Sequence, residues 1–130
     1  MTVNLLDYMP FAQSLGLELQ LIGKDLIRAS LEVRRELCTT GKIMHGGAIM
    51  AVADTLGAIA AYQSLPAGAK ATTTIESKTN FLGAAPLGAV VIAETTPLHI
   101  GRRTSVWQTV LHSAEGQKIA LVTQTQLVLT

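Results

Sequence analysis

The sequence predicts an α+β domain in which a curved antiparallel sheet of about six strands wraps around one long central helix. Three observations carry this expectation. Residues 46–64 run almost without polar side chains and are rich in alanine, long enough for about five helical turns. Six strand-like segments flank that run, two before it and four after, and their short, turn-rich connections suit antiparallel neighbours. No repeat, linker or low-complexity stretch divides the 130 residues, so 1–130 is expected to form a single domain.

Taken in order, Pro10 opens a short helix over PFAQSL that Gly16 stops. Residues 17–22 form a strand, Gly23-Lys24-Asp25 a turn and residues 26–33 a second strand. There Ile27, Ala29, Leu31 and Val33 alternate with Arg28, Ser30, Glu32 and Arg34. Residues 34–44 are polar and irregular. The central helix then runs to about Ser64, ended by Pro66 and Gly68. Four strands follow: the threonine-rich 71–82, the β-branched 89–98, the alternating 103–112 and the long 118–129, the last preceded by an Ala114-Glu115-Gly116 turn. A helix apolar on every side needs covering on every side, which is why the sheet is expected to curl around it.

Bulk properties narrow the function. A net charge of +1 leaves no nucleic-acid footprint and no strongly cationic membrane surface. Hydrophobic residues make up 48% and charged residues only 15%, where about 25% charged is usual. Such a shortage of surface charge predicts burial against other copies of the chain. Cys38 is the lone cysteine, which excludes an intrachain disulfide and suits the reducing cytoplasm. The N-terminal stretch lacks the basic start and long apolar core of a secretory leader. Residues 46–62 approach membrane-span length but hold Asp54 near their middle and are mostly small, so a helix packed within protein is expected instead.

The chemistry-bearing residues are few. Phosphate-cradle, dinucleotide, serine-elbow and zincin patterns are absent, and His45, His99 and His112 lack metal-ligand spacing, so neither metal nor cofactor is expected. Cys38 and His45 form no nucleophile pair with a third orienting group, and Cys38 is read as packing. Asp54 stands out: six apolar or small residues precede it, and after Thr55 six more follow. Burying an ionised carboxylate there costs several kcal/mol unless it is paired. A structural Asp held by a hydroxyl such as Thr55 is the plain alternative; a general base or nucleophile is the functional one. His45-Gly46-Gly47 begins the same helix, where bare amides at the positive helix end favour developing negative charge, though glycines also serve a merely flexible helix start. Gly46 and Asp54 are eight residues apart, about 12 Å along one helix. A carboxylate must come within roughly 3 Å of the carbon it attacks. Two antiparallel helices related by a two-fold axis would bring each Asp54 to the partner's Gly46.

The segment from His45 to Asp54, HGGAIMAVAD, resembles the motif of the PaaI-like acyl-CoA thioesterases of the hot-dog superfamily. PFAQSLGLEL is similar to that family's N-terminal helix and strand, SKTNFLGAAPLG to its strand and turn after the helix, and residues 101–130 to its closing hairpin. The resemblance implies a hot-dog fold, an acyl-CoA substrate hydrolysed to free acid and CoA, and a homodimer or a tetramer made from two dimers. It implies that the Gly46 amide polarises the thioester carbonyl and that Asp54 of the opposing subunit acts as nucleophile or general base. His45 then shapes the helix start beside Gly47, and Thr74 takes the place of a Ser or Thr that faces the attacking water. Thr39 stands where the family often has Asn or Gln, with a shorter reach. Arg102 and Arg103 lie in a turn where they would meet CoA phosphates or, equally, only solvent. A non-catalytic acyl-CoA binding protein and a hot-dog dehydratase are the alternative functions, and the acyl group stays open.

Overall fold

The computed structural model describes residues 4–130; the first three residues of the N-terminal stretch read for a leader lie outside the described residues. A 3₁₀ turn at Leu5–Tyr8, capped by the Asn4 side chain, precedes the short helix α1 (Pro10–Ser14). Proline at the first helical position gives up only an N–H that has no intrahelical partner. Gly16, with φ of 80°, turns the chain out of the helix through the left-handed region that glycine adopts freely. Strands β1 (Glu18–Ile22) and β2 (Ile27–Glu32) form the first hairpin. The stretch expected to be irregular holds a 3₁₀ turn at Arg35–Leu37 and two short paired strands, β3 (Cys38–Thr39) and β4 (Ile43–Met44). Helix α2 (Gly46–Gln63) follows, then β5 (Ala71–Phe81), β6 (Val90–Ile100), β7 (Thr104–Ser113) and β8 (Lys118–Leu129).

The main sheet has six strands in the order β1-β2-β6-β7-β8-β5, every neighbouring pair antiparallel. Its helix-facing side is built in rows across the register. Ala29, Ala93, Leu111 and Ala120 make one fully apolar row with no more than a trace of exposure. The next row joins Ile27, Thr95, Thr109 and Val122, where the two threonine hydroxyls bond each other at 2.6 Å. Beyond it come Trp107 beside Gln124, and then Ser105 beside Gln126 and Thr74. The rows therefore grow polar toward one end of the sheet, and every polar group buried there needs a partner.

One expectation about α2 is overturned. The helix is not covered all round: its buried residues, among them Val52, Ala53, Leu56, Gly57 and Ala60, face the sheet, whereas Gly47, Met50, Asp54 and Tyr62 are exposed in helical spacing along the other side. Composition hid this because the open stripe is itself built largely of Gly, Ala, Met and Tyr, and a single curved sheet covers only one side of a helix. Asp54 is thus solvent-facing within the chain. On the covered side, Gly57 leaves the gap that the Gln124 side chain fills; a Cβ there would overlap the amide.

On the sheet's outer face Glu94 takes two hydrogen bonds from Arg28, at 2.8 and 3.1 Å, and contacts His112 Nε2 at 3.0 Å. The Arg28 bonds first, and then the His112 bond, hold the Glu94 carboxyl below the usual carboxylate range. A depressed folded-state value means that the contribution to stability is present above the unfolded-state value near 4.5 and is lost as pH falls through the folded one. Glu94→Gln should therefore lower the melting temperature at pH 7 and flatten its decline below about pH 4.5. Thermal melts of both proteins from pH 3 to 7 measure this; parallel curves would show that the cluster adds nothing.

Candidate active site

Helix α2 begins with a side-chain cap that sorts its first amides. His45 sits in extended conformation, and its Nδ1 accepts the Gly47 N–H at 2.7 Å. An accepting Nδ1 puts the ring proton on Nε2. The bond commits the Gly47 amide, while the carbonyl of His45 accepts from Ala48 and Ile49. Gly46, first in the helix, has no intrahelical acceptor for its own N–H. The Phe81 ring from the far end of β5 lies against Gly46, about 3.1 Å from where a Cβ would stand. A larger residue at position 46 would have to displace that ring.

Two turns along, Asp54 emerges on the open stripe and is met by β5. Thr74 Oγ1 donates to Asp54 Oδ1 at 2.6 Å. A β-bulge at Ile75 makes this possible. Before it Thr72 and Thr74 face the helix side, paired across from Val128 and Gln126; after it the inward phase passes to Ser77 and Thr79. Thr74, expected to face an attacking water, has its hydroxyl turned by the bulge onto Asp54. That bond engages Oδ1 of a carboxylate that is otherwise exposed.

Behind Thr74 lies a pair of residues that sequence reasoning passed over. Gln124 and Gln126 on β8 are fully buried. Gln126 Nε2 donates to Thr74 Oγ1 at 2.5 Å and to Gln124 Oε1 at 2.6 Å, and Gln124 Nε2 donates to the Ala53 carbonyl at 2.8 Å. Thr72 donates to Gln126 Oε1 at 3.0 Å. The available signal was the shared face of Ala120, Val122, Gln124 and Gln126 in alternation, but the opposite face of that strand, Leu121 and Leu127 included, looks no less apolar.

The remaining expected residues lie apart from Asp54 within the chain. Thr39 is exposed on β3, beside a shallow cavity of about 390 Å³ lined by Arg35, Cys38, Lys42 and Leu87. Cys38 donates to the Arg34 carbonyl at 3.5 Å and shares a cavity of about 500 Å³ with His45, Gly47 and Arg34. Arg102 and Arg103 are exposed in the β6–β7 turn and line a cavity of about 600 Å³ with His99, Thr104, Pro66 and Thr130. Among the described residues no three His, Cys, Asp or Glu side chains gather as a metal site. No described helix is long and apolar enough to cross a membrane.

A long helix on a six-stranded antiparallel sheet is the hot-dog arrangement. The profile of the Thioesterase superfamily matches residues 41–120, and the chain belongs to that family. It is a thioester hydrolase of PaaI-like architecture. The proofreading thioesterase EntH of Cronobacter turicensis is 29% identical over 106 residues, covering 82% of this chain and 76% of EntH. The 1,4-dihydroxy-2-naphthoyl-CoA hydrolase of Escherichia coli is 28% identical over 103 residues, 79% of this chain and 74% of that enzyme. Among solved structures, the phenylacetic acid degradation protein PaaI of Thermus thermophilus, in a mutant form, superposes with a TM-score of 0.84 at 27% identity, covering 92% of this chain and 99% of that one. A thioesterase of Haemophilus influenzae superposes at 0.86 with 26% identity, over 100% and 93% of the two chains.

The Thr74–Asp54 bond yields a direct test. Thr74→Val keeps the side chain's size and removes the donor. It should lower kcat by about 10–100-fold, the worth of a hydrogen bond to a charged group, with a smaller change in KM. Steady-state kinetics on a turned-over thioester decide it, and wild-type kcat would remove Thr74 from the chemistry.

Proposed function

We propose that the chain hydrolyses acyl-CoA thioesters at sites shared between two copies, with Asp54 of one and the Gly46 amide of the other. The observation that carries this reading is the Asp54 carboxylate, exposed on the open stripe of α2 and already oriented by Thr74. The thioester carbonyl oxygen would accept the free Gly46 N–H at the positive end of the helix, where developing negative charge is favoured. Asp54 Oδ2 would attack the carbonyl carbon or take a proton from the water that does. The C–S bond breaks, CoA leaves as the thiol after taking up a proton, and water supplies the oxygen of the free acid.

The edge of the sheet supports the sharing. β5 is unpaired on its outer side, and Ile75, Phe81 and Leu82 on or just after it are all more than half exposed, as is Tyr62 on the helix. Apolar surface of this kind calls for a covering partner. An antiparallel register of β5 against the partner's β5 about a two-fold axis would set the Thr74 end of one strand beside the Phe81 end of the other. Thr74 touches Asp54 and Phe81 touches Gly46, so this register carries each carboxylate toward the opposite helix start. The dimer is the minimal unit, and a tetramer from two dimers would use further charge-poor surface. Thr39, exposed beyond the helix start, is free to bond substrate. The E. coli relative's hydrolysis of an aromatic CoA ester makes aryl-CoA the first substrate class to try. The free Cys38 suits a cytoplasmic setting.

Asp54→Asn should keep the fold and lower kcat by about 10²–10⁴ on benzoyl-CoA, hexanoyl-CoA or 1,4-dihydroxy-2-naphthoyl-CoA, followed by release of free thiol. Mixing tests the shared site. Asp54→Asn and Gly46→Val subunits, unfolded and refolded together, give about half mixed dimers with one intact site each, so about a quarter of wild-type activity should return. Activity at the single mutants' floor, with exchange verified by native mass spectrometry, would refute sharing.

Arg102 and Arg103, with His99 beside them, are proposed to meet the phosphates of CoA. Arg102→Ala or Arg103→Ala should raise KM for a CoA ester with kcat nearly unchanged, and the wild type should show the steeper salt dependence. Identical KM values in all three proteins would return these arginines to solvent.

A further inference from the structure

Two buried glutamines form a chain of hydrogen bonds whose direction is forced from its first link. The Ala53 carbonyl can only accept, so Gln124 must present Nε2 to it. That turns Gln124 Oε1 toward Gln126, which must answer with Nε2. The Oε1 of Gln126 then faces Thr72, whose hydroxyl donates to it. The second N–H of Gln126 points at Thr74 Oγ1, which becomes an acceptor on that side. With Thr74 Oγ1 already receiving a proton there, its own proton goes to Asp54 Oδ1. The chain leaves the helix at the Ala53 backbone and returns to it at the Asp54 side chain.

From this geometry we propose that Gln126, braced by Gln124, is a positioning residue: it holds the Thr74 hydroxyl as a donor and so fixes the Asp54 carboxylate through Oδ1 in the orientation from which it reacts. The inference rests on the reading of Asp54 as the reacting group. A lone threonine hydroxyl rotates freely and can donate or accept. A pure donor behind it bars Thr74 from donating inward and leaves its proton for Asp54. Two fully buried amides, each nitrogen and oxygen with at least one partner, are also a costly choice for packing alone, where apolar residues of equal volume would serve. Gly57 makes room for Gln124 by lacking the Cβ that would displace it.

The test uses Gln126→Met, which keeps length and removes the donor, and Gln126→Glu, which keeps shape and supplies an acceptor toward Thr74 instead. Assayed on benzoyl-CoA and hexanoyl-CoA well below their melting temperatures, both should lower kcat about tenfold, the order of one net hydrogen bond, with KM within about twofold. Thr74→Ser, which retains the hydroxyl, should lose much less of kcat than Thr74→Val. Placed in the Asp54→Asn background, Gln126→Met should cause no further loss, because the two act as one unit. A merely structural glutamine would lower stability while leaving kcat of the folded protein intact, or would add its loss independently; either result overturns the proposal. Should Gln126→Met fail to fold, Gln126→Glu carries the same measurements. A second readout needs no turnover: crystals of either Gln126 variant should show Asp54 in more than one rotamer, and a single rotamer still bonded to Thr74 would overturn the relay. Released Asp54 rotamers in a protein that hydrolyses neither ester would keep the relay and sink the CoA-ester reading alone.

Discussion

The bond from Gln124 to the Ala53 carbonyl governs how α2 meets the sheet, and most of the site follows from it. A helix can accept a side-chain amide on its own backbone only where no Cβ intervenes, and Gly57 is the place where none does. Around that contact the helix presents Ala53, Ala60 and Ala61 to the strands, small residues that allow close approach. Close approach carries Asp54, one residue further along, to the rim of β5, within reach of a hydroxyl as short as that of Thr74. A bulkier residue at 57 would lift the helix and uncouple the carboxylate from its strand.

The sequence made the helix, the six strands and the antiparallel sense of the sheet legible because each rests on local pattern: one long alanine-rich run, period-two alternation and well-placed turn residues. The paired fragments β3 and β4 and the 3₁₀ turns escaped it. Two-residue strands carry no periodicity, and their pairing depends on a loop closed by Gly41 and Lys42 in left-handed conformation. Strand β6 runs past its expected end to Ile100, through Pro97, because a bulge beside the proline absorbs the missing donor.

Asp54 was legible for a reason that proved only half right. Its apolar neighbours marked it as exceptional, yet the helix exposes it on an open stripe. The anomaly lies in the stripe, which has the composition of a buried face and nothing among the described residues to cover it. The glutamines were illegible for the opposite cause: their strand alternates evenly, and hydropathy gives no ground for turning Gln124 and Gln126 inward. What fixes their direction is the register with β5 and β7, a long-range property that no window of one strand contains.

Helix geometry itself argues for a second copy. One helix offers both an unclaimed N–H at Gly46 and a carboxylate at Asp54, but a rise of about 1.5 Å per residue keeps them too far apart to act on one carbonyl. His45 sharpens the separation by taking up the Gly47 amide, so the free donor stands at the very start of the helix and no nearer to Asp54. The Phe81 ring against Gly46 and the Thr74 hydroxyl on Asp54 then mark opposite ends of a single unpaired strand. An antiparallel pairing of that strand with itself exchanges its ends. Under the proposed pairing, the edge that leaves apolar surface uncovered is also the edge through which the two halves of the chemistry would meet, so covering that surface would complete the site.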